Sequence, residues 1–339
     1  MPKRAQLGVA LCSRRSALAK SLAAIAAIAA STVLPAHAEA WNPVRPIRLI
    51  VPYGPGGSSD VIARVIAAEM SKGLGQQVIV DNKGGGQGVI AMREAARAEP
   101  DGYTLVLGHV GTLAVNPAMM PKLPYDAQKD FVPVTLLAKL PMVFAVGPTV
   151  RSTSLKAFIA QAKAKPGAMS YGSAGNGSAG NLAFEMLKLT AHIDLVHVPY
   201  KGTGAQITDL LAGNIDAASA GLPGVLAHAR AGKIHILAVG SSTRLPAIPD
   251  VPTVAEEGYP GFESSQWFGL LAPARTPAAV VSRLHAEAVR ALGTPLVRQR
   301  LAEDSSIAIG AGAEQFAAFI RSEQQRWGAV VRGAKLHAD

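Results

Sequence analysis

The chain has 339 residues, of which 49% are hydrophobic and 17% are charged, and its formal net charge is +10 at pH 7. A chain of this length and apolar content can bury a large core and is long enough for two domains, which argues against intrinsic disorder. Its basic residues form no cluster interleaved with aromatic side chains, which argues against a nucleic-acid-binding protein.

The amino terminus has the pattern of an export signal. Five basic residues and an apolar run at 22–34 precede Ala36-His37-Ala38, a small-x-small cleavage pattern. The run is too short to span a bilayer, so residues 1–38 are predicted to be a signal peptide that directs the protein to the periplasm. Cleavage is expected after Ala38, with Ala40 as the second choice. It removes five basic and no acidic residues, which lowers the net charge from +10 to +5. The pair Arg14-Arg15 fits either a twin-arginine signal or an ordinary basic region.

The first predicted strand, residues 48–53, runs into a glycine- and serine-rich turn that opens an amphipathic helix. Such a turn leaves the first backbone N–H groups of the helix unpaired, with the positive end of the helix dipole behind them. It is therefore suited to hold an anion, and we call this turn, residues 53–58, the first cradle. Asp60, at the helix start, is expected to act on the helix dipole and not on a ligand.

A second loop, which follows the predicted strand at 104–108, is expected to lie beside the first cradle. Ligands of open α/β sheets bind outside the carboxyl ends of the strands, so the loop 108–112 should face the ligand. Thr112 offers a hydroxyl donor, and His109 either lines the pocket or is structural.

A second cradle repeats this pattern near the middle of the chain, where a strand at 169–172 runs into another glycine- and serine-rich turn. Its candidate ligand-binding residues are Ser173, Asn176, Gly177 and Ser178. Strands and helices alternate along the chain, which predicts an α/β architecture of mainly parallel sheets covered by helices. Two cradles suggest one ligand gripped from two sides.

Two segments are predicted to cross between two lobes. The strand-like stretch 132–146 is interrupted at Lys139-Leu140-Pro141, as if one extended segment served two sheets, and a proline-rich connection at 241–263 later enters a strand at Trp267. A chain that leaves one sheet and returns to it forms two lobes, with a cleft that closes by hinge motion. The predicted lobes are residues 39–140 with 260–339, and residues 141–259.

Short motifs occur in order along almost the whole mature chain. They include Pro-Ile-Arg-Leu-Ile-Val-Pro-Tyr at 46–53, Gly-Gly-Ser-Ser-Asp at 56–60, Pro-Asp-Gly-Tyr-Thr-Leu at 100–105, Tyr-Gly-Ser at 171–173, Val-Pro-Tyr-Lys-Gly at 198–202, Pro-Asp-Val-Pro-Thr at 249–253 and Trp-Phe-Gly at 267–269. Together they resemble the tripartite tricarboxylate transporter substrate-binding proteins, the Bug family. The resemblance implies a two-lobed type II periplasmic binding protein fold and a receptor that hands a small organic acid to a membrane permease.

The resemblance also implies how the acid is held. Members of the family often bind carboxylates through backbone amides, hydroxyls and bridging waters, and the residues here that match the family's ligand loop are Tyr53, Gly56, Gly57 and Ser58. Beside the second cradle lies a loop of Tyr200, Lys201 and Gly202, in which Lys201 either meets the acid or is solvated. Asn181 stands where many members have histidine. Whether Asn181 or the segment 262–266 touches the ligand stays open.

Two alternatives remain: a receptor that presents its acid to a membrane sensor kinase, and a secreted enzyme that uses the glycine-rich loops. Enzyme motifs are incomplete, because Gly54-Pro55-Gly56 lacks the third glycine of a dinucleotide site and neither Ser173 nor Ser178 has Gly-x-Ser-x-Gly flanks. The one cysteine, Cys12, lies in the predicted signal, and the histidines are scattered. We therefore expect a monomer with no catalytic residue, no metal and no cofactor.

Overall fold

The computed structural model describes residues 41–337, so the predicted signal peptide, Arg14-Arg15, Ala38 and Ala40 lie outside the described residues. The strands are β1 (Ile47–Val51), β2 (Val78–Asn82), β3 (Thr104–His109), β4 (Phe131–Val146), β5 (Ser170–Ser173), β6 (Val196–Pro199), β7 (Ala217–Gly221), β8 (His235–Val239), β9 (Ser265–Pro273) and β10 (Ile307–Ala311). The helices are α1 (Ser58–Leu74), α2 (Val89–Ala96), α3 (Asn116–Met119), α4 (Leu155–Ala164), α5 (Ala179–Ala191), α6 (Thr203–Ala212), α7 (Pro223–Arg230), α8 (Ala278–Leu292), α9 (Pro295–Glu303) and α10 (Ala313–Gly333). A 3-10 turn at Gly86–Gly88 and a π-helical turn at Gly111–Val115 complete them. Within this part of the chain, no helix is both long enough and apolar enough to cross a membrane.

The strands form two groups that share β4. The first group has the order β2-β1-β3-β9-β4 with β10 also on β4, and the second has the order β4-β7-β5-β6 with β8 also on β4. Strand β1 is parallel to β2 and β3, and β5 is parallel to β6 and β7. Strands β4 and β9 are antiparallel to each other, β9 is antiparallel to β3, and β4 is antiparallel to β7. The predicted α/β fold is confirmed.

Strand β4 is the first connection between the groups. Its residues 131–141 pair with β9, and residues 142–146 pair with β7. The sequence predicts two strands broken near Pro141, whereas the structure has one strand that changes partners there. The second connection crosses at the same point, since Met142 N–H donates to Ser264 O at 3.0 Å and Gly240 N–H donates to Met142 O at 2.7 Å. An ion pair also joins them, with Lys139 Nζ 3.0 Å from Glu263 Oε1.

Helices cover both faces of each group because successive strand residues point to opposite faces. In β1, Leu49 packs in a buried cluster with residues of α1, α8 and α9, whereas Ile50 packs on the other side with residues of α2 and α10. Around the second group, α4 and α5 cover one face and α6 and α7 the other. Leu182 of α5 packs instead in the cluster that contains Trp267 and Trp327. This contact places the amino-terminal half of α5 against the first group.

Candidate functional site

The first cradle lies between β1 and α1, as predicted. Gly56 has φ +89°, a left-handed conformation that favours glycine, and Gly57 is the extended residue that precedes the helix. Both glycines are exposed and Ser58 is half-buried. The turn therefore presents backbone groups and one hydroxyl at the start of α1.

The buried carboxylate of Asp60 is used within this turn. It accepts a hydrogen bond from the Gly56 N–H at 2.9 Å, and its other oxygen is 2.9 Å from Nε of Arg64. Burial raises the pKa of Asp60, but the hydrogen bonds from Arg64 and Gly56 outweigh burial and hold the pKa below its ordinary value. Asp60 thus stabilises the shape of the first cradle.

Tyr53 of the first cradle lies against His109 of the loop after β3. The Tyr53 hydroxyl is 2.8 Å from His109 Nδ1, and the two rings meet edge to face with centroids 4.9 Å apart. Gly111 N–H also donates to His109 Nδ1, at 3.0 Å. The His109 ring is 6% exposed, and burial lowers its pKa to about 3. The structure therefore brings the first cradle and this loop together through a neutral histidine.

Thr112 is fully buried in the same loop. Its hydroxyl donates to the His109 carbonyl and accepts from the His109 N–H, both at 3.2 Å. The carbonyl of Thr112 accepts from the Tyr125 hydroxyl at 2.6 Å. The sequence suggests Thr112 as a ligand donor, whereas these contacts use its hydroxyl to close the loop.

A glycine-rich segment, residues 84–88, packs between the first cradle and Thr112 of the loop after β3. The sequence did not mark it as part of the candidate site. Asn82 Nδ2 donates to the Tyr53 carbonyl at 3.0 Å, which fixes the end of β2 against the first cradle. A side chain on Gly88 would come within 2.6 Å of Thr112 Cγ2 and 3.0 Å of Pro52 Cβ. The glycines after Asn82 were visible in the sequence, but what they pack against depends on the fold.

The second cradle lies between β5 and α5. Ser178 caps the helix and accepts a hydrogen bond from Asn181 N–H at 3.3 Å. Gly177 has φ +70°, and its N–H donates to Asn181 Oδ1 at 2.9 Å. Asn176 is half-buried in the same turn. Asn181 is fully buried and donates through Nδ2 to the Tyr171 hydroxyl at 2.8 Å, so its amide holds the turn.

Ser173, which ends β5, is fully buried and hydrogen-bonded. Its hydroxyl is 2.7 Å from His197 Nε2 and 3.0 Å from the Gly175 carbonyl, and it accepts from Gly175 N–H at 3.1 Å. Both partners lie in the second group of strands or in the cradle itself. The Ser173 side chain therefore stabilises the turn through its hydrogen bonds to Gly175.

The loop after β6 lies at the same ends of the strands. The N–H of Tyr200 donates to the Ser173 carbonyl at 2.9 Å, and its hydroxyl donates to Asp209 Oδ2 at 2.7 Å. Burial and this bond to Asp209 raise the pKa of Tyr200 to about 12. Gly202 has φ +136° before α6, and Lys201 is exposed and forms no ion pair with the residues of 41–337. Lys201 is the cation that this loop leaves accessible.

The second cradle contacts the segment that follows the His109 loop. A Cβ atom on Gly177 would lie 3.1 Å from Met119 Sδ and 3.9 Å from Val115 Cγ1. The π-helical turn that contains Val115 continues directly from the loop of His109 and Thr112. The first cradle, this loop and the second cradle thus form a continuous set of contacts, in which Met119 is a member that has no local sequence signal.

Two surface cavities lie elsewhere. One of about 710 Å³ is lined by residues of 117–130 and Gln324, and the other, of about 530 Å³, lies between α1 and β2. Neither is lined by a candidate residue from the sequence. The charged side chains in the lining of the first cavity, Asp126, Lys129 and Asp130, bond to one another or to nearby backbone.

Acidification tests the burial of neutral His109. In the unfolded chain a histidine takes up a proton near pH 6.5, but in the folded protein the pKa is lowered to about 3. The unfolded state therefore binds more protons as the pH falls through this window, and stability is lost. Between pH 6.5 and 5.5 we expect the free energy of unfolding of the wild type to fall about 1 kcal/mol further than that of His109→Gln, measured by urea unfolding. Equal losses in the two proteins would contradict the buried neutral ring.

Comparison with known sequences identifies the family. The family model for tripartite tricarboxylate transporter family receptors matches residues 62–336. Protein BugT of Bordetella pertussis (strain Tohama I) is 40% identical over 310 residues, which cover 91% of this chain and 95% of BugT. The family-model match spans the second cradle and both connections.

Solved structures share the fold over nearly their whole length. A periplasmic transporter is 44% identical with a TM-score of 0.78, covering 88% of this chain and 99% of that protein. Rpa4515 of R. palustris, solved with adipate, is 33% identical with a TM-score of 0.78, and the shares covered are 87% and 99%. MatC from Rhodopseudomonas palustris, solved with malate, is 34% identical with a TM-score of 0.75, and the shares are 85% and 99%.

These findings confirm the family and the fold class predicted from the motifs. The matched proteins are described as receptors, transporters or binding proteins. The predicted absence of enzymatic activity agrees with the family. The chain belongs to the tripartite tricarboxylate transporter receptor family and is a solute-binding protein of the Bug type, not an enzyme.

Proposed function

We propose that this protein is a monomeric periplasmic receptor that binds a small carboxylate between its two cradles and delivers it to a tripartite tricarboxylate-type permease. The observation that carries the proposal is that two glycine-rich helix starts, one from each group of strands, lie against neighbouring parts of one segment: the first cradle against His109, and the second against Val115 and Met119. Helix starts of this kind favour anions. Adipate and malate, the acids in the two Rhodopseudomonas structures, are both dicarboxylates.

The energetics of such a site are sufficient without an arginine clamp. A hydrogen bond to a charged oxygen contributes roughly 1.5 to 3 kcal/mol. A micromolar complex needs about 8 kcal/mol, so four to six bonds suffice after the cost of ordering the site. The proposed donors are the Gly57 N–H, the hydroxyls of Ser58 and Ser178 and the ammonium group of Lys201. Gly56 and Gly177 shape the two turns, because their N–H groups already donate to Asp60 and Asn181. Recognition then depends on where the donors are placed.

Binding is proposed to close two lobes, residues 39–140 with 260–339 and residues 141–259. The lobes would rotate about the place where both connections cross, beside Met142. The contact of Gly177 with Met119 is the expected state of the closed protein. Release of the acid would require this contact to open.

Calorimetry on the mature protein tests the ligand class. The protein is unfolded and refolded to remove carried-over ligand, and is then titrated with malate, adipate, citrate, an aromatic acid and an acidic amino acid. We expect at least one acid to bind better than millimolar, and Ser58→Trp and Ser178→Trp to weaken its binding at least tenfold because the indole fills the space between the cradles. Ser322→Trp, at an exposed position of α10, is the control.

Two results would overturn this proposal. Binding of neutral sugars or cations in place of any acid would contradict the anion cradles, and full affinity in both cradle variants would move the ligand elsewhere. Uptake of the bound acid by cells with and without this protein tests delivery to a permease. An acid that binds but is not taken up, together with the response of a sensor kinase, would favour the alternative receptor role.

A further inference from the structure

The hydrogen bonds around His109 determine which ring nitrogen carries the proton. A backbone N–H can only donate, so the bond from Gly111 N–H at 3.0 Å requires Nδ1 to be an acceptor. The Tyr53 hydroxyl, 2.8 Å from the same nitrogen, then donates to it as well. The proton of the neutral ring is therefore on Nε2. This assignment follows from the loop geometry alone.

The Nε2–H group has no partner within residues 41–337. The ring is more than nine-tenths buried, and its other contacts are the Tyr53 ring and the Phe268 ring, whose centroids are 4.9 and 5.5 Å away. No charged side chain of the described residues makes an ion pair or a hydrogen bond with it. Although most of the ring is buried, Nε2 is not sealed from solvent, so its N–H is open to a ligand that supplies an acceptor.

We propose that His109 is a specificity residue of the carboxylate site, whose Nε2–H donates one hydrogen bond to an oxygen of the bound acid. This inference rests on the proposed function. Tyr53 is the positioning residue, because it holds the ring from the first cradle while Gly111 holds it from the loop. The ring offers a donor and no acceptor, so it accommodates a carboxylate, hydroxyl or carbonyl oxygen and rejects an ammonium group at the same place.

Two amide substitutions separate the roles of the two ring nitrogens. The amide of His109→Gln reaches the place of Nε2 and keeps a donor there, whereas the shorter amide of His109→Asn reaches only the place of Nδ1. Both variants are titrated with malate and with adipate, and their thermal unfolding is compared with that of the wild type. We expect His109→Gln to bind within about threefold of the wild type. His109→Asn should lose at least tenfold, about 1.4 kcal/mol.

Nitrogen-15 NMR of the histidine ring gives a readout that needs no ligand. We expect Nε2 protonated and Nδ1 unprotonated in the free protein at pH 7, and the same in Tyr53→Phe because Gly111 still donates to Nδ1. A proton on Nδ1, full affinity in His109→Asn, or equal losses in both amide variants would overturn the role of Nε2. If no acid binds the wild type while the ring has the expected proton, the proposed function fails and the tautomer stands.

Discussion

Replacing Glu323 with alanine is expected to lower the free energy of unfolding by about 3 to 5 kcal/mol. Glu323 of α10 is 3% exposed, and its Oε2 accepts from Trp267 Nε1 at 2.7 Å and from Trp327 Nε1 at 2.9 Å. Its other oxygen pairs with Arg326. Alanine would leave two buried indole N–H groups and a partly buried cation without their acceptor. Urea unfolding followed by tryptophan fluorescence measures the loss.

Two variants on the same carboxylate and the same helix make this result specific. Glu323→Gln keeps one oxygen acceptor and should lose less than Glu323→Ala, whereas Gln325→Ala changes an exposed residue and should stay within about 0.5 kcal/mol of the wild type. A loss below about 1 kcal/mol in Glu323→Ala would mean that the indoles find other acceptors. Arg326 also donates to the Glu263 carbonyl at 2.9 Å, so the lost carboxylate would loosen α10 from the second connection as well.

Gly180→Ala is expected to destabilise the protein by about 3 kcal/mol and to weaken binding of the acid at least tenfold. A Cβ atom at Gly180 would lie 2.3 Å from the carbonyl oxygen of Ser219, which is closer than van der Waals contact allows. That oxygen cannot move away freely, because Ser219 pairs with Phe144 in the sheet and its carbonyl accepts from Gln206 Nε2 at 3.0 Å. The start of α5 would have to shift, and the second cradle with it. Urea unfolding and calorimetry measure the two effects.

Gly204→Ala is the matched control for this glycine. Gly204 also lies near the start of a helix, but a Cβ atom there would meet no atom of the described residues within 4 Å. We expect the control to be neutral or to gain up to about 1 kcal/mol, because alanine favours a helix over glycine. If Gly180→Ala kept both its stability and its affinity, α5 would not be held closely against β7.

The strands predicted at 48–53, 104–108 and 169–172 lie within two residues of their observed ends, and the departures elsewhere have physical causes. Periodicity breaks β4 at Pro141, since proline has no N–H to give to a ladder, but the strand continues by changing partners at Met142. No strand is predicted at β10, where Ile307 and Ile309 stay about 40% exposed at an edge. Alternation of strands and helices predicts that neighbouring strands are parallel. The antiparallel pairing of β4 and β9 depends on where the second connection brings the chain back to the first group, which the alternation does not specify.

The two cradles were predictable because glycine turns and helix starts are local features. Gly56 and Gly177 have the left-handed backbone that their sequence context suggests. The hydrogen-bond partners of the hydroxyls and amides in and beside the cradles were not predictable. Asn181 donates to the Tyr171 hydroxyl, a partner on the preceding strand, and Thr112 uses its hydroxyl within its own loop.

The order of motifs in the chain is sufficient to identify the family, the α/β fold and two glycine-rich turns at helix starts, because each depends on residues close together in sequence. Only the tertiary structure decides that the Tyr53 hydroxyl bonds to the His109 ring and that Gly177 lies close to Met119. The Tyr53–His109 and Gly177–Met119 contacts join residues 56 and 58 positions apart in the chain. Such pairs form only when the packing of several elements is complete, and no local pattern of residue types encodes that packing.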